Sequence, residues 1–147
     1  MSCCCCGKKE VVTGDRAPKA IGPYSLAIKS GQLVFASGQL GIDPETGHLV
    51  EGGIDAETHQ ALQNVGNILR MAGTGMVNVL KATVFLRDIN DFARMNEVYA
   101  KFFPENPPAR SALQVGALPR GAAVEIEVVA LIPHEDCNCD CNCGGQK

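Results

Sequence analysis

The sequence predicts one α+β domain, in which two helices cover one face of a mixed β-sheet. Three observations support this fold class. The chain has 147 residues, of which 46% are hydrophobic and 20% charged, and this suits a single globular domain with a sizeable core. Two segments repeat apolar residues at helical spacing, and several shorter apolar runs are bounded by turn residues. Along the chain these segments predict the element order β-β-β-α-β-α-β-β.

The first two predicted strands form a hairpin, and a short third strand follows. Residues 25–29 and 33–38 are apolar-rich, and the Ser-Gly pair between them is typical of a hairpin turn. Residues 41–47 contain Gly, Asp and Pro and predict a turn. Residues 48–50 are then predicted to form the third strand.

Residues 55–72 form the first predicted helix. Asp55 is the predicted N-cap, Glu57 suits the positive end of the helix dipole, and Gly73 can close the C-terminus. The apolar residues recur three and four positions apart and therefore share one helix face: Ala61, Leu62, Val65, Ile68, Leu69 and Ala72.

The second half of the chain predicts a strand, a helix and two more strands. Helix 90–103 ends before Pro104, which blocks its continuation, and residues 111–115 and 124–132 are the last predicted strands. The apolar stripe of that helix is Phe92, Met95, Tyr99 and Phe102. Residues 79–87 alternate as a strand does, with Leu80, Ala82, Val84 and Leu86 on one face and Val79, Lys81, Thr83 and Phe85 on the other.

The cysteines divide the chain into a domain and two appendages. Residues 1–18 are predicted to form an arm, residues 19–133 the domain, and residues 134–147 a polar Cys/Asn/Gly-rich tail. All eight cysteines lie in the appendages, so the domain holds neither a disulfide nor a cysteine nucleophile. They are Cys3, Cys4, Cys5 and Cys6 near one end and Cys137, Cys139, Cys141 and Cys143 near the other.

Charge and hydropathy exclude several classes of partner. The net charge is −3 and the pI about 5.6, which disfavours a nucleic-acid or anionic-membrane partner. No apolar stretch is long enough to span a bilayer, and no signal peptide is recognisable at the N-terminus. A cytoplasmic location is therefore expected. The mitochondrion stays open as an alternative, although no clear targeting segment is present.

The common catalytic signatures are missing. The sequence has no phosphate-binding glycine loop, no nucleophile elbow and no paired metal histidines. His48, His59 and His134 are scattered, and we expect surface roles for them. Residues 107–112 stand out instead, because Arg110 lies between a rigid Pro-Pro entry and a strand, which suits a fixed clamp for a substrate carboxylate. A purely structural role for this arginine remains open.

Two carboxylates share one face of the last predicted strand. Glu125 and Glu127 lie on the same side as Val129 and Leu131. Charges on a strand face are usually solvated, but a carboxylate that faces a partner subunit would have a raised pKa and could act as a general base or acid. Periodicity alone does not choose between the two glutamates.

Six motifs in consistent order carry a resemblance to a known family. Residues 17–132 resemble the Rid (reactive intermediate deaminase) proteins, and among them the RidA-type subgroup. The matching motifs are Ala-Ile-Gly-Pro-Tyr, Ala-Ser-Gly-Gln, Lys-Ala-Thr-Val-Phe-Leu-Arg-Asp, Asp-Phe-Ala-Arg-Met-Asn, Pro-Ala-Arg-Ser and Val-Glu-Ile-Glu.

The resemblance implies both a fold and an activity. The implied fold is a chorismate-mutase-like α+β domain that forms homotrimers, whose sheets line a central barrel and whose active sites lie between subunits. The implied activity is hydrolysis of 2-iminobutanoate and 2-iminopropanoate to the 2-keto acid and ammonia, with no cofactor. Arg110 would then bind the substrate carboxylate and Glu125 would activate the hydrolytic water.

The resemblance also implies which residues line the pocket. Tyr24, Ser37 and Asn96 would contribute side chains, and Gly38 and Ala112 would contribute backbone contacts. Position 112 is alanine where many bacterial relatives have cysteine, which is compatible with a backbone role but not with a thiol role. The cysteine-rich ends are not a family feature.

Alternatives stay open for the domain and for its appendages. The same fold could act as an endoribonuclease or translation inhibitor, or as a non-enzymatic ligand-binding or chaperone trimer. The C-terminal Cys-x-Cys repeat could bind Zn²⁺ or Cu(I) through thiolates. The N-terminal cysteines could be acylated, or both ends could be unstructured tails with reactive thiols.

Overall fold

A computed structural model of the protein describes residues 8–133. It confirms a single α+β domain with one mixed sheet and two helices. The strand order in the sheet is β1-β2-β3-β6-β4-β5, and only the β4–β5 pair is parallel. The elements are β1 Lys9–Val12, β2 Ala27–Ser30, β3 Leu33–Leu40, α1 Gly53–Met71, β4 Val79–Leu86, α2 Phe92–Phe102, β5 Ala109–Gln114 and β6 Val124–Leu131.

The predicted order of elements is correct, but one of its strands is wrong. Residues 48–50 form no strand, and only an isolated bridge joins Ile42 to Leu49. The additional strand is instead β1, inside the segment that was predicted to be an arm, where it pairs with β2. Only Val12 of β1 is buried, so an alternating apolar pattern is too short to be recognised in the sequence.

Helix α1 begins two residues earlier than predicted. Its N-cap is Gly52, whose φ of 117° lies in the region that favours glycine, so the prediction of Asp55 as N-cap is wrong. Asp55 lies in the first turn instead, where a carboxylate suits the helix dipole. At the other end Gly73 adopts a φ of 89° just after the C-cap, as expected for a glycine that ends a helix.

Strand β4 carries an irregularity, and one side chain therefore points to the face opposite to the predicted one. The register between β4 and β6 shifts between Val79 and Lys81. Leu80, predicted for the buried face, is therefore 47% exposed, whereas Val79 is buried in the core. After the shift Ala82, Val84 and Leu86 are fully buried, as the alternation predicts.

Helix α2 starts at Phe92, after a short 3-10 turn over Ile89–Asp91. Met95 and Tyr99 of its predicted stripe are buried, while Phe92 remains 38% exposed. The two helices lie on the same side of the sheet and form one core with its inner face. Within residues 8–133, no helix is long and apolar enough to cross a membrane.

The opposite face of the sheet, here called the open face, carries no helix. Its β6 side chains alternate with the buried ones, so Glu125, Glu127, Val129 and Leu131 all point to this side. Phe35 pairs with Val129 across β3 and β6 and is 47% exposed. The open face is thus apolar at one end of the sheet and acidic toward the other.

Candidate active site

A cleft of about 830 Å³ opens at one end of the sheet. The loop before β2, the end of β3, the loop that follows it, and the start of β6 all contribute to its wall. Four of the predicted site residues line it together: Tyr24, Ser37, Gly38 and Glu125. Positions far apart in the sequence therefore meet in one cavity.

The wall of the cleft is shaped by a bulge in β3. The register between β3 and β6 shifts between Ala36 and Gln39, which leaves Ser37 and Gly38 outside regular pairing. The Ser37 hydroxyl donates to the carbonyl oxygen of Ser25 at 2.7 Å. The buried amide of Gln39 donates to the carbonyl oxygens of Ser37 and Gly38, each at 3.2 Å. These bonds fix the bulge, and the Ser37 oxygen keeps its lone pairs for a ligand.

Glu125 packs directly on that bulge. Its carboxylate occupies the space that a side chain at position 38 would need, since a Cβ added there would lie 2.8 Å from the Glu125 Cδ. Burial raises the pKa of Glu125, and the negative charge of Glu127 raises it further. Glycine is needed at position 38 because any side chain there would displace the carboxylate. The result is a half-buried carboxyl group with increased proton affinity at the cleft wall.

Two buried polar residues of α1 hold the cleft in shape, a role that helical periodicity does not predict. The Asn64 amide donates to the carbonyl oxygens of Leu40 at 3.1 Å and Ile42 at 2.8 Å. The Glu57 carboxylate accepts a hydrogen bond of 2.7 Å from the backbone N–H of Ala123, two residues before Glu125. Glu57 was predicted only to favour the helix dipole. The signal for this role in the sequence is a polar residue on the buried face of a helix, because a buried polar group needs a hydrogen-bond partner.

Tyr24 forms the outer edge of the cleft. It is 48% exposed, and its hydroxyl oxygen accepts a long hydrogen bond of 3.4 Å from the Ile21 backbone N–H. The hydroxyl proton therefore remains available to a ligand. The facing wall includes Arg120, which has a positive φ of 58° and donates to the Gly47 carbonyl oxygen at 2.5 Å.

Arg110 does not lie in this cleft. It sits on β5 beside Ala82, which is buried under the helices, whereas Glu125 sits beside Phe85 on the open face. The guanidinium lies over the ring of Tyr99, and its central carbon is 4.7 Å from the centroid of that ring. The same carbon is 5.6 Å from the centroid of the Phe92 ring. Neither of the two ion pairs found within residues 8–133 involves Arg110.

Asn96 and Ala112 belong with Arg110 rather than with the cleft. Asn96 lies between Phe92 and Tyr99 on α2, four and three residues away, and so on the same side of the helix. Its Oδ1 and the Tyr99 hydroxyl are buried and, within residues 8–133, have no hydrogen-bond partner. Ala112 lies two residues beyond Arg110 on the same face of β5. We call this group the arginine surface.

Comparisons with known proteins decide the family. The family described as Endoribonuclease L-PSP matches residues 14–132. A RutC family protein of Pyrococcus horikoshii is 52% identical over 122 residues, covering 83% of this chain and 97% of the relative. The human 2-iminobutanoate/2-iminopropanoate deaminase is 50% identical over 123 residues, covering 84% of this chain and 90% of the relative.

This chain belongs to the endoribonuclease L-PSP (Rid) family. The crystal structure of RidA from an Antarctic Psychrobacter superposes with a TM-score of 0.81 at 46% identity, covering 84% of this chain and 99% of that one. The resemblance identified from motifs is thereby confirmed. Strand β1 lies before residue 14, the first residue that the family model matches.

The remaining predicted residues do not line the cleft or lie outside the described residues. His48 and His59 are exposed, and His59 meets Phe102 edge-on at 5.3 Å between ring centroids. Within residues 8–133, no group of His, Cys, Asp and Glu side chains could hold a metal ion. His134, the Cys3–Cys6 cluster and the predicted thiolate site of Cys137, Cys139, Cys141 and Cys143 lie outside the described residues.

Proposed function

We propose that this protein hydrolyses 2-imino and 2-enamino acids, including 2-iminobutanoate and 2-iminopropanoate, to 2-keto acids and ammonia. One observation carries the proposal. Glu125, a carboxylate with a raised pKa, lies in the cleft against Gly38 and among the polar groups of Ser37 and Tyr24. The activity named for the human and mammalian relatives at about 50% identity supports the same reaction.

The proposed reaction uses few protein groups because the imine carbon is already electrophilic. Glu125 accepts a proton from water as the oxygen attacks that carbon and passes it to the imine nitrogen, which gives a carbinolamine. It then moves the hydroxyl proton of the carbinolamine to the same nitrogen, so that the C–N bond breaks, the C=O bond forms and ammonia leaves. The Ser37 oxygen and the Tyr24 hydroxyl hold the water and the substrate nitrogen in place. The products are the keto acid and ammonia. The proposed chemistry requires neither a coenzyme nor a metal ion.

We further propose that the chain is a homotrimer in which Arg110 of one subunit completes the cleft of the next. Within one chain Arg110 and Glu125 lie on opposite faces of the sheet, so a single chain cannot apply both to one small substrate. The exposed Phe35 on the open face favours burial against other copies. The unpartnered Asn96 and Tyr99 atoms also favour a ligand or neighbour at the arginine surface.

Sedimentation tests the trimer, and product release tests the reaction. Freshly generated 2-aminoacrylate should lose ammonia faster with the protein than in buffer, and Arg110→Ala should abolish most of this acceleration. A stable monomer at micromolar concentration would contradict the shared site. Equal rates with and without protein, in a trimeric preparation, would contradict the deaminase.

The family description favours one alternative, an endoribonuclease. The cleft argues against it, because its wall carries three carboxylates, Glu45, Glu125 and Glu127, but only two cations, Lys19 and Arg120. Salt-dependent RNA binding followed by cleavage would favour the nuclease. Ligand or client-protein binding without any product would favour a non-enzymatic binding or chaperone trimer, with the same Arg110 contact.

A further inference from the structure

The buried carboxylate of Glu57 is bonded to the backbone just before Glu125. Glu57 lies on the buried face of α1 and is 7% exposed. Its carboxylate accepts a hydrogen bond of 2.7 Å from the N–H of Ala123, a residue that is itself buried. Ala123 immediately precedes β6, and Glu125 follows it by two residues, or about 7 Å along the strand. Since a buried N–H needs an acceptor, the position of Glu57 constrains the chain that carries Glu125.

The same helix also holds the strand that pairs with Glu125. Leu40, the last residue of β3, lies opposite Glu125 in the register of β3 and β6. The fully buried Asn64 donates to the carbonyl oxygens of Leu40 and Ile42. Gln60, one turn earlier on α1, donates to the Asn64 Oδ1 at 3.0 Å and so fixes the orientation of that amide. Helix α1 therefore supports both the chain that leads to Glu125 and the residue paired with it.

A glycine brings the end of β3 against the helix backbone. A Cβ added at Gly41 would lie 2.5 Å from the Cα of Glu57 and 2.7 Å from its carbonyl oxygen. Any other residue at this position would push the loop and the helix apart. Because the two backbones are this close, the short span from α1 to Ala123 is bridged by a single glutamate side chain.

We propose that Glu57 is a positioning residue for Glu125, which acts through the N–H of Ala123 with α1 as its support. Neither Glu57 nor Ala123 is among the described residues that line the cleft, so the effect on the reaction is indirect. Without this hydrogen bond the start of β6 would shift toward another acceptor, and the Glu125 carboxylate would shift with it. A misplacement of about 1 Å can cost about a hundredfold in rate. This proposal rests on the proposed function, in which Glu125 transfers the protons.

Two conservative variants separate the reach of the Glu57 side chain from its charge. Glu57→Gln keeps the length and an acceptor oxygen for Ala123, whereas Glu57→Asp keeps the carboxylate but is shorter by one C–C bond of about 1.5 Å. For 2-iminobutanoate, kcat should stay within about twofold of wild type in Glu57→Gln and fall about tenfold or more in Glu57→Asp. KM should change by less than about threefold in both, because neither change touches the groups that bind the substrate carboxylate.

Ile68→Val is the matched control for a loss of stability. Ile68 is a fully buried apolar residue of the same helix and does not line the cleft. Its truncation should lower the Tm but leave kcat unchanged when all variants are assayed below their Tm. The proposal is wrong if Glu57→Asp has the kcat of wild type, if Glu57→Gln loses as much as Glu57→Asp, or if Ile68→Val loses as much as either.

A second measurement does not depend on turnover. Burial raises the pKa of Glu125, and the charge of Glu127 raises it further. In Glu57→Asp the Glu125 carboxyl group should move toward solvent, so its pKa should fall toward that of an ordinary glutamate, whereas Glu57→Gln should leave it in place. A carboxyl ¹³C NMR titration measures this, with Glu125→Gln to assign the signal. An unchanged pKa in Glu57→Asp would contradict the positioning role. A trimer without deaminase activity would contradict the proposed function alone, since this titration still tests Glu57.

Discussion

The cleft around Glu125 and the arginine surface around Arg110 differ in what they lack. The cleft has an acid/base group, a fixed bulge and a hydroxyl-bearing wall, but its charge is unfavourable for binding a carboxylate. The arginine surface has a free guanidinium held by two aromatic rings, but within residues 8–133 no titratable carboxyl group is paired with it. Each region supplies what the other does not.

The comparison shows that one chain does not bring Glu125 and Arg110 to the same side of the sheet. Strands β6, β4 and β5 are neighbours, yet Glu125 and Arg110 point to opposite faces of the sheet that those strands form. A change of rotamer cannot move a side chain through a hydrogen-bonded sheet. If both groups act on one substrate, they must come from two subunits.

The largest expected effect is at Glu125, because that change removes the chemistry from the cleft. Glu125→Gln keeps the size and hydrogen bonding of the side chain but removes the titratable group, so kcat should fall by about 10²–10⁴. Glu127→Gln is the matched control on the same strand face and should cost much less. Steady-state kinetics for 2-iminobutanoate measure both, and sedimentation should show an unchanged trimer. The reverse order of effects would assign water activation to Glu127.

Mixed trimers test whether the two regions belong to different subunits. Arg110→Ala and Glu125→Gln chains are each expected to be nearly inactive. In randomly mixed trimers, about one interface in four combines an intact Arg110 with an intact Glu125, so about a quarter of the wild-type activity should return. The two preparations are mixed, unfolded and refolded together, with each preparation refolded alone as the control. If mixing restores nothing, the two residues do not share a site across an interface.

The sequence predicts the elements that carry the two regions, but not how those regions are oriented in the fold. Strand and helix periodicity predicted both helices and five of the six strands within a few residues, and motif resemblance supplied the seven predicted site residues. Neither could show that Arg110 and Glu125 point to opposite faces, because that depends on which strands become neighbours. The β4 irregularity at Leu80 and the β3 bulge at Ser37 arise from pairing between distant segments, which periodicity within one segment does not contain.

A conservative change at the arginine surface should have an intermediate effect. Arg110→Lys keeps the positive charge but loses the planar two-pronged contact and the stacking on Tyr99. We expect kcat/KM for 2-iminobutanoate to fall about tenfold or more, equivalent to about 1.4 kcal/mol. Arg94→Lys is the control, because Arg94 lies on the exposed side of α2 and pairs with Asp55. Wild-type kinetics in Arg110→Lys would mean that the carboxylate is bound elsewhere.

A smaller effect should appear in the pH dependence of the cleft. Burial, and secondarily Glu127, raises the pKa of Glu125, so the base form is lost at a higher pH than for an ordinary glutamate. The acid limb of kcat against pH should therefore move to lower pH in Glu127→Gln. An unmoved limb would mean that Glu125 is not the titrating group.

The same pKa shift predicts a change in stability. Because the folded-state pKa is raised, Glu125 favours folding below its unfolded pKa, and this contribution is lost as pH rises through the folded pKa. Glu125→Gln should therefore unfold at a temperature equal to or above wild type at neutral pH, and the difference should shrink or reverse at acid pH. Thermal melts across pH measure this. A Gln variant that is less stable at neutral pH would contradict the sign.

The smallest expected effect comes from removing both cysteine-rich ends, since both the cleft and the arginine surface lie within the described domain. A truncated chain of residues 8–133 retains β1 and should keep the trimer and kcat unchanged. Further truncation to residues 14–133 removes β1 and the buried side chain of Val12, whose burial stabilises the fold by about 1.5–3 kcal/mol. That shorter chain should melt at a lower temperature, yet turn over normally below its Tm, because β1 pairs with β2 and contributes no residue to the lining of the cleft. Loss of activity in residues 8–133 would instead show that the cysteine-rich ends belong to the catalytic unit. Catalysis would then depend on a third region besides the cleft and the arginine surface.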